Sequence, residues 1–226
     1  MKRYLSPATS ELLDYLQDLG FGDLYLQTAP TSVVGPADGS GTNLADLEVE
    51  AQGCVNCALS EGRGSVVFGS GSSQARLMFI GEGPGAEEDR KGLPFVGRAG
   101  ELLTKIIQAI DMTREQVYIA NIVKCRPPGN RDPRPEEVAA CRGFLERQID
   151  SIGPRVIVLL GRVAAQALLG TDLPLGRMRG QWYKVRGVET RVTYHPAALL
   201  RNANYKRPTW EDMQVVRDRL AETSSL

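Results

Sequence analysis

Two short runs of this chain, residues 76–80 (RLMFI) and 155–160 (RVIVLL), are apolar at nearly every position and do not alternate. A strand with one face in water alternates apolar and polar residues, whereas a strand covered on both faces does not. Segments with helical periodicity separate and follow these runs. Residues 97–110 place Leu102, Leu103, Ile106, Ile107 and Ile110 on one stripe, and residues 209–220 place Trp210, Met213, Val216 and Leu220 on one face. Residues 135–149 and 163–169 also read as helices, and residues 117–123 and 191–194 as further strands. Strands buried on both faces and alternating with helices predict an α/β fold in three layers, a parallel sheet with helices on either side. No internal repeat is present.

Composition narrows the class. Of the 226 residues, 42% are hydrophobic and 24% charged, ordinary globular values that exclude a collagen-like, coiled-coil or wholly disordered chain. No stretch of 18 apolar residues suits a membrane span. The start, Met1-Lys2-Arg3-Tyr4-Leu5-Ser6-Pro7, is basic but meets no apolar stretch, so a cytoplasmic, monomeric protein with no membrane partner is expected. The net charge of zero conceals two unlike regions. Residues 1–60 carry two Lys/Arg against eight Asp/Glu, and the remainder carries 25 against 19. The acidic part predicts an amphipathic helix from Thr9 or Ser10 to Leu19, then a Gly/Pro/Ser/Thr-rich linker over residues 28–43. Residues 1–50 thus read as a helix plus flexible linker, either a mobile extension or a docking helix for a protein partner, and residues 51–226 as the folded domain.

In parallel α/β sheets ligands bind at the carboxyl ends of the strands, and three unusual segments fall there. The turn Gly81-Glu82-Gly83-Pro84-Gly85-Ala86 formally fits a dinucleotide fingerprint. However, Pro84 interrupts it, four carboxylates (Glu82, Glu87, Glu88, Asp89) would repel a pyrophosphate, and no acidic residue ends a second strand about 20 residues on. Such a turn still permits close backbone approach by a neutral planar ligand. In KCRPPGNRDPRP, Lys124, Arg126 and Arg131 sit on a segment kept extended by prolines, either a phosphate grip or a solvated loop. The only histidine, His195, follows a strand and precedes Pro-Ala-Ala-Leu-Leu-Arg-Asn. It is either a catalytic group or a structural hydrogen bonder. Leu199 and Leu200 beside Arg201 suit a wedge pushed into a base stack, or the inward face of a helix turn. Phe95 is a candidate stacking platform or a core residue. Cys54 and Cys57, with two residues between them in a turn, join Cys125 and Cys141 as a candidate four-thiolate site. Zinc and iron–sulfur remain open, and Cys141 also fits a helical apolar stripe.

Together, GEGPGAEEDRKGLPFVGRAGELL, NIVKCRPPGNR and TYHPAALLRN resemble the family 4 uracil-DNA glycosylases, from about residue 53 to 220. The resemblance implies a central four-stranded parallel sheet flanked by helices, a [4Fe–4S] cluster on the four cysteines, and removal of uracil from single- or double-stranded DNA. It implies that Phe95 stacks on a flipped uracil, Asn121 reads its O4 and N3 edge, and Gly83 and Gly85 line the pocket with backbone. Glu88 would lie where a thymine methyl would sit, and His195 would donate to O2. Better-known members of the superfamily carry a water-orienting aspartate where this chain has Gly83, which leaves Glu82 and Glu88 as candidates for that task. No lysine stands out as a Schiff-base nucleophile, so a monofunctional enzyme is expected. The rival class is a non-catalytic iron–sulfur DNA-binding or replication-associated module, which has no need of a donor to O2.

Overall fold

Every residue of the strands Leu77–Gly81 and Val156–Leu160 is buried, as their unbroken apolar runs require. The computed structural model describes residues 43–222. The predicted helix at residues 9–19 and most of the linker lie outside the described residues. In chain order the elements are α1 (Leu44–Gln52), α2 (Leu59–Gly62), β1 (Ser70–Gly71), β2 (Leu77–Gly81), α3 (Ala86–Lys91) and α4 (Arg98–Gln108). There follow β3 (Tyr118–Asn121), a 3-10 turn (Pro128–Asn130), α5 (Pro135–Ile152), β4 (Val156–Leu160), α6 (Arg162–Leu169) and α7 (Leu175–Met178). The chain continues through β5 (Trp182–Val185), β6 (Val188–Thr193), α8 (Pro196–Arg201), a second 3-10 turn (Ala203–Tyr205) and α9 (Lys206–Glu222).

The sheet order is β1-β3-β2-β4-β6-β5, and the pairs β3-β2, β2-β4 and β4-β6 are parallel. The expected four parallel strands are therefore its centre, but the sheet has six strands. Antiparallel β1 and β5 complete its edges. Both edges are short and partly exposed, so they lack the apolar runs that mark the interior strands. β5 and β6 form a hairpin across Arg186 and Gly187, both at positive φ (50° and 80°), as a twist-matched two-residue turn needs.

Alternate residues of each central strand feed two cores. Leu77, Phe79, Ile119, Val158 and Leu160 meet Leu103 and Ile107 of α4 and Met213, Val216 and Leu220 of α9. Met78, Ile80, Ala120, Ile157 and Leu159 meet the other layer, where α5 contributes Phe144, Leu145 and Ile149. Helix α1 belongs to that layer. Leu47 and Ala51 are buried in it, and Glu50 forms a two-bonded ion pair with Arg147 of α5 (2.6 and 2.8 Å). Most of α1 lies before residue 51, and it packs with the folded domain. Among the described residues no helix is long and apolar enough to cross a membrane.

One buried network locks α9 to the sheet just before the site. Asp212 accepts from the Thr193 hydroxyl (2.8 Å) and from Nε and Nη2 of Arg179 (2.9 and 2.7 Å), with Arg191 Nη2 at 3.3 Å. Four donors from three residues satisfy a carboxylate that would be costly to bury alone.

Candidate active site

A cavity of about 620 Å³ opens at the carboxyl ends of β2, β3, β4 and β6. Its walls bring together Glu82, Gly83, Gly85, Glu88, Phe95, Asn121, Arg131, His195 and Arg201, segments that lie far apart in sequence.

Phe95 sits in the wall, 6% exposed, at a positive φ of 52° that a side chain rarely adopts. Two glycines make this possible. A Cβ on Gly100 would lie 1.8 Å from the Phe95 carbonyl oxygen, so α4 meets the strained loop only through a glycine. A Cβ on Gly81 would lie 2.5 Å from both Phe95 Cζ and Asn121 Oδ1, so the platform and the amide share space that a methyl group would fill. Glu88 fixes the same loop. Its Oε1 accepts from the amides of Val96 (2.9 Å) and Gly97 (3.0 Å), immediately after Phe95. One oxygen of the Glu88 carboxylate thus anchors the loop that carries Phe95.

Asn121 ends β3 and is 1% exposed, and its Oδ1 is buried with no hydrogen-bond partner in the protein. An unpaired buried acceptor costs about 1–3 kcal/mol, so this atom asks for a donor from a ligand. Across the pocket His195 caps α8, and its Nδ1 accepts from the Ala197 amide (3.2 Å). A neutral ring that accepts at Nδ1 carries its proton on Nε2. Burial, reinforced by Arg201 and opposed by Glu88, pushes its pKa down to about 4, so the ring is neutral at physiological pH. The Phe95 and His195 ring centres are 5.5 Å apart. Gly161, at φ 93°, gives His195 its room, since a Cβ there would stand 2.9 Å from the histidine Cβ.

The Glu82 carboxyl has its pKa pushed up to about 7, chiefly by burial, with Asp132 adding to the rise and Arg162 opposing it. These two neighbours pair with one another at 2.6 Å. Sequence reasoning missed both, along with Gly81, Gly100 and Gly161. No sequence signal marks these glycines as the ones whose missing side chains make room.

The proposed phosphate grip is only partly available. Lys124 is corrected outright, because it is 2% exposed. Its ammonium donates inward to the Asn121 carbonyl (2.9 Å) and to Gln148 Oε1, and burial lowers its pKa to about 8. It cannot reach a phosphate. Arg131 is bound at both ends of its guanidinium to Glu137 (2.9 and 2.6 Å), a buried carboxylate that also accepts from the Arg134 amide at the start of α5. Arg126 donates to Asn130 (2.8 Å). Leu199 is 3% exposed and packs inward, because α8 turns that face to the protein. Leu200 is 46% exposed and remains the wedge candidate.

The four thiols gather around a separate small pocket next to the site. Cys54 and Cys57 come from the turn between α1 and α2, Cys125 from the segment after β3, and Cys141 from α5. None is in a disulfide. The Cys141 sulfur accepts from the Lys124 amide (3.3 Å), and Arg63 Nη1 reaches the Cys54 carbonyl (2.6 Å) and the Cys125 sulfur (3.4 Å). Among the described residues no three His, Cys, Asp or Glu side chains converge closely enough for a single ion. A lone zinc draws each sulfur to about 2.3 Å, whereas a cubic cluster carries its thiolates on separate irons and holds them farther apart. The four thiols form a donor set suited to a metal ion or a thiolate-held cluster.

The site brings an aromatic ring, a buried amide oxygen without a partner and a neutral imidazole into one cavity of an α/β fold. The model of the family described as the uracil DNA glycosylase superfamily matches residues 68–214, and the chain belongs to that superfamily. Among its relatives are type-4 uracil-DNA glycosylases. That of Archaeoglobus fulgidus is 46% identical over 70% of this chain and 83% of its own length. That of Thermotoga maritima is 46% identical over 71% and 86%, and that of Saccharolobus solfataricus 43% over 79% and 87%.

Proposed function

We propose that the chain is a monofunctional uracil-DNA glycosylase, which takes a uracil extruded from DNA into the cavity and hydrolyses its bond to deoxyribose. The observation that carries this reading is the unpaired Oδ1 of Asn121. Uracil presents N3–H there, a donor that relieves the buried acceptor. Cytosine presents a bare N3 and would leave two acceptors face to face. Phe95 stacks on the ring, repaying about 1–3 kcal/mol of the cost of flipping. Glu88 acts through the loop that aims Phe95.

The chemistry follows from His195 and Glu82. As the glycosidic bond breaks, its electron pair moves onto the base and charge grows on O2. His195 Nε2–H, fixed by the Nδ1 bond to Ala197, stabilises that charge more than the ground state. With its pKa near 4 the ring donates a hydrogen bond without surrendering the proton. Water attacks the sugar carbon, and its proton passes to the Glu82 carboxylate, whose pKa of about 7 suits a base at neutral pH. The products are an abasic site and a uracil anion that takes a proton from solvent.

Cys54, Cys57, Cys125 and Cys141 would hold a [4Fe–4S] cluster, which when bound supplies a crosslink between the α1–α2 turn, the exit of β3 and α5. Purified protein with broad visible absorption supports the cluster, and a colourless zinc-loaded protein refutes it. Release of uracil from a uracil-containing oligonucleotide tests the activity. His195→Ala should slow release about 10²–10³-fold, and a wild-type protein that yields no abasic product overturns the reading.

A further inference from the structure

We propose that a groove between α4 and α8 holds the phosphate backbone of the DNA strand opposite the uracil, and so gives the protein a preference for duplex. This rests on the glycosylase reading, which it deepens.

Helix α8 is a ridge between two depressions. Ala197, Ala198 and Arg201 face the base pocket. Leu199 and Leu200 face a second depression of about 390 Å³, whose other wall is the stripe Arg98, Glu101, Leu102 and Lys105 of α4 and whose end is Lys206. Positions 98, 101, 102 and 105 share one face because a helix repeats every 3.6 residues. The groove thus has an apolar floor (Leu102, Leu199) and an exposed rim of three cations against one carboxylate.

Most cations of this protein are spent on its own groups. Lys124 and Arg131, which sequence reasoning gives to phosphates, are held by Asn121, Gln148 and Glu137. In contrast Arg98, Lys105 and Lys206 have no hydrogen-bond or ion-pair acceptor among the described residues. The same holds for Arg201 on the far side of the ridge. Free positive charge therefore flanks the exposed Leu200.

That placement selects the occupant. A uracil leaves its own strand towards the base pocket, on one side of α8. Leu200, on the crest, is placed to fill the gap it leaves in the stack. The groove lies across the crest from the departing base, where the wedge meets the other strand. Cations set on an apolar floor suit a sugar–phosphate backbone, with contacts that carry register but no sequence.

The test uses the full-length protein with its cluster, binding the same uracil-containing oligonucleotide single-stranded and paired, from 50 to 200 mM salt. Each phosphate contact contributes about 0.9 to the slope of log affinity against log salt on duplex. Lys105→Ala with Lys206→Ala should lower the duplex slope by about 1.8. Over that salt range the wild type should lose about tenfold more duplex affinity than the variant. The single-strand slope should fall far less. Glu101→Gln should tighten duplex binding, an outcome that a misfolded variant cannot produce. An unchanged duplex slope, or equal losses on both substrates, overturns the groove and in the second case assigns these cations to the uracil's own strand. Uracil release by the wild type, followed in parallel, judges the glycosylase reading separately. Its absence sinks that reading, while a duplex-specific loss of slope still places DNA in the groove.

Discussion

Glu82 is where the proposed chemistry is most open to attack. Its pKa of about 7 has burial as first cause, with Asp132 raising it and Arg162 lowering it, so a base at this position makes the rate climb as pH rises towards 7 and level off above. Asp132 and Arg162 form an ion pair, and breaking that pair frees the surviving partner to act more strongly on Glu82. Asp132→Asn removes a repulsion and liberates Arg162, and both effects lower the midpoint. Arg162→Gln does the reverse. Two unit charges 4 Å apart interact by about 1 kcal/mol in water, and one pH unit is about 1.4 kcal/mol, so each change should move the midpoint by about half to one unit. Glu82→Gln should remove the climb and cost about 10²–10⁴-fold at pH 8. Single-turnover release of uracil from pH 5 to 9 isolates the chemical step from product release. Stability supplies a second reading with a fixed sign. Folding raises the pKa, so the folded state keeps the proton between the ordinary carboxylate value and about 7, and stability falls as pH rises through that window. Glu82→Gln should flatten this decline. A midpoint that neither neighbour moves, or a Glu82→Gln variant fully active at pH 8, would refute the reasoning.

Gly81→Ala places a methyl group 2.5 Å from Phe95 and Asn121, and uracil release should fall about 10²-fold through displacement of both groups, as measured under single turnover. Leu200→Ala should slow release from duplex more than from single strands, and equal losses would remove it as a wedge. Arg131 bonds to Glu137 and holds its carboxyl below the usual range, so this pair stabilises the fold above that range and the benefit fades on acidification. Arg131→Ala should therefore lower the melting temperature at pH 7 and lose most of its effect at pH 3, as followed by circular dichroism.

The interior of the sheet was readable because burial on both faces writes itself as an unbroken apolar run. Leu77–Gly81 and Val156–Leu160 bury every residue, and residues 97–110 carry a full apolar stripe. Helix α1 was not readable. It sinks only Leu47 and Ala51, and Glu50 fastens it to Arg147, 97 positions away. The four cysteines line one pocket and Asn121, Phe95 and His195 another, but residue type does not reveal where a charge points. Lys124 turns inward, whereas the guanidinium of nearby Arg126 donates to the Asn130 side chain. Nor does it separate Glu82 from Glu88, since the difference is two backbone amides that one carboxylate accepts and the other does not. Glycines that matter for missing volume, such as Gly81 and Gly100, look like any others until their neighbours are placed.

The stretch from Asn121 to Cys125 runs from the base pocket to the thiol pocket in five residues. Backbone bonds from Ile122 to Gly81, Val123 to Glu82 and Val67 to Lys124 hold it along its length. The Lys124 ammonium braces the Asn121 carbonyl from beneath. Such a segment acts as a ruler of fixed length. One inserted residue would turn either Asn121 or Cys125 away from its pocket, whereas the exposed loop of residues 171–174 absorbs the same insertion at little cost. Between the base-reading amide and the thiols, spacing is as much a part of this protein's chemistry as the side chains that mark its ends.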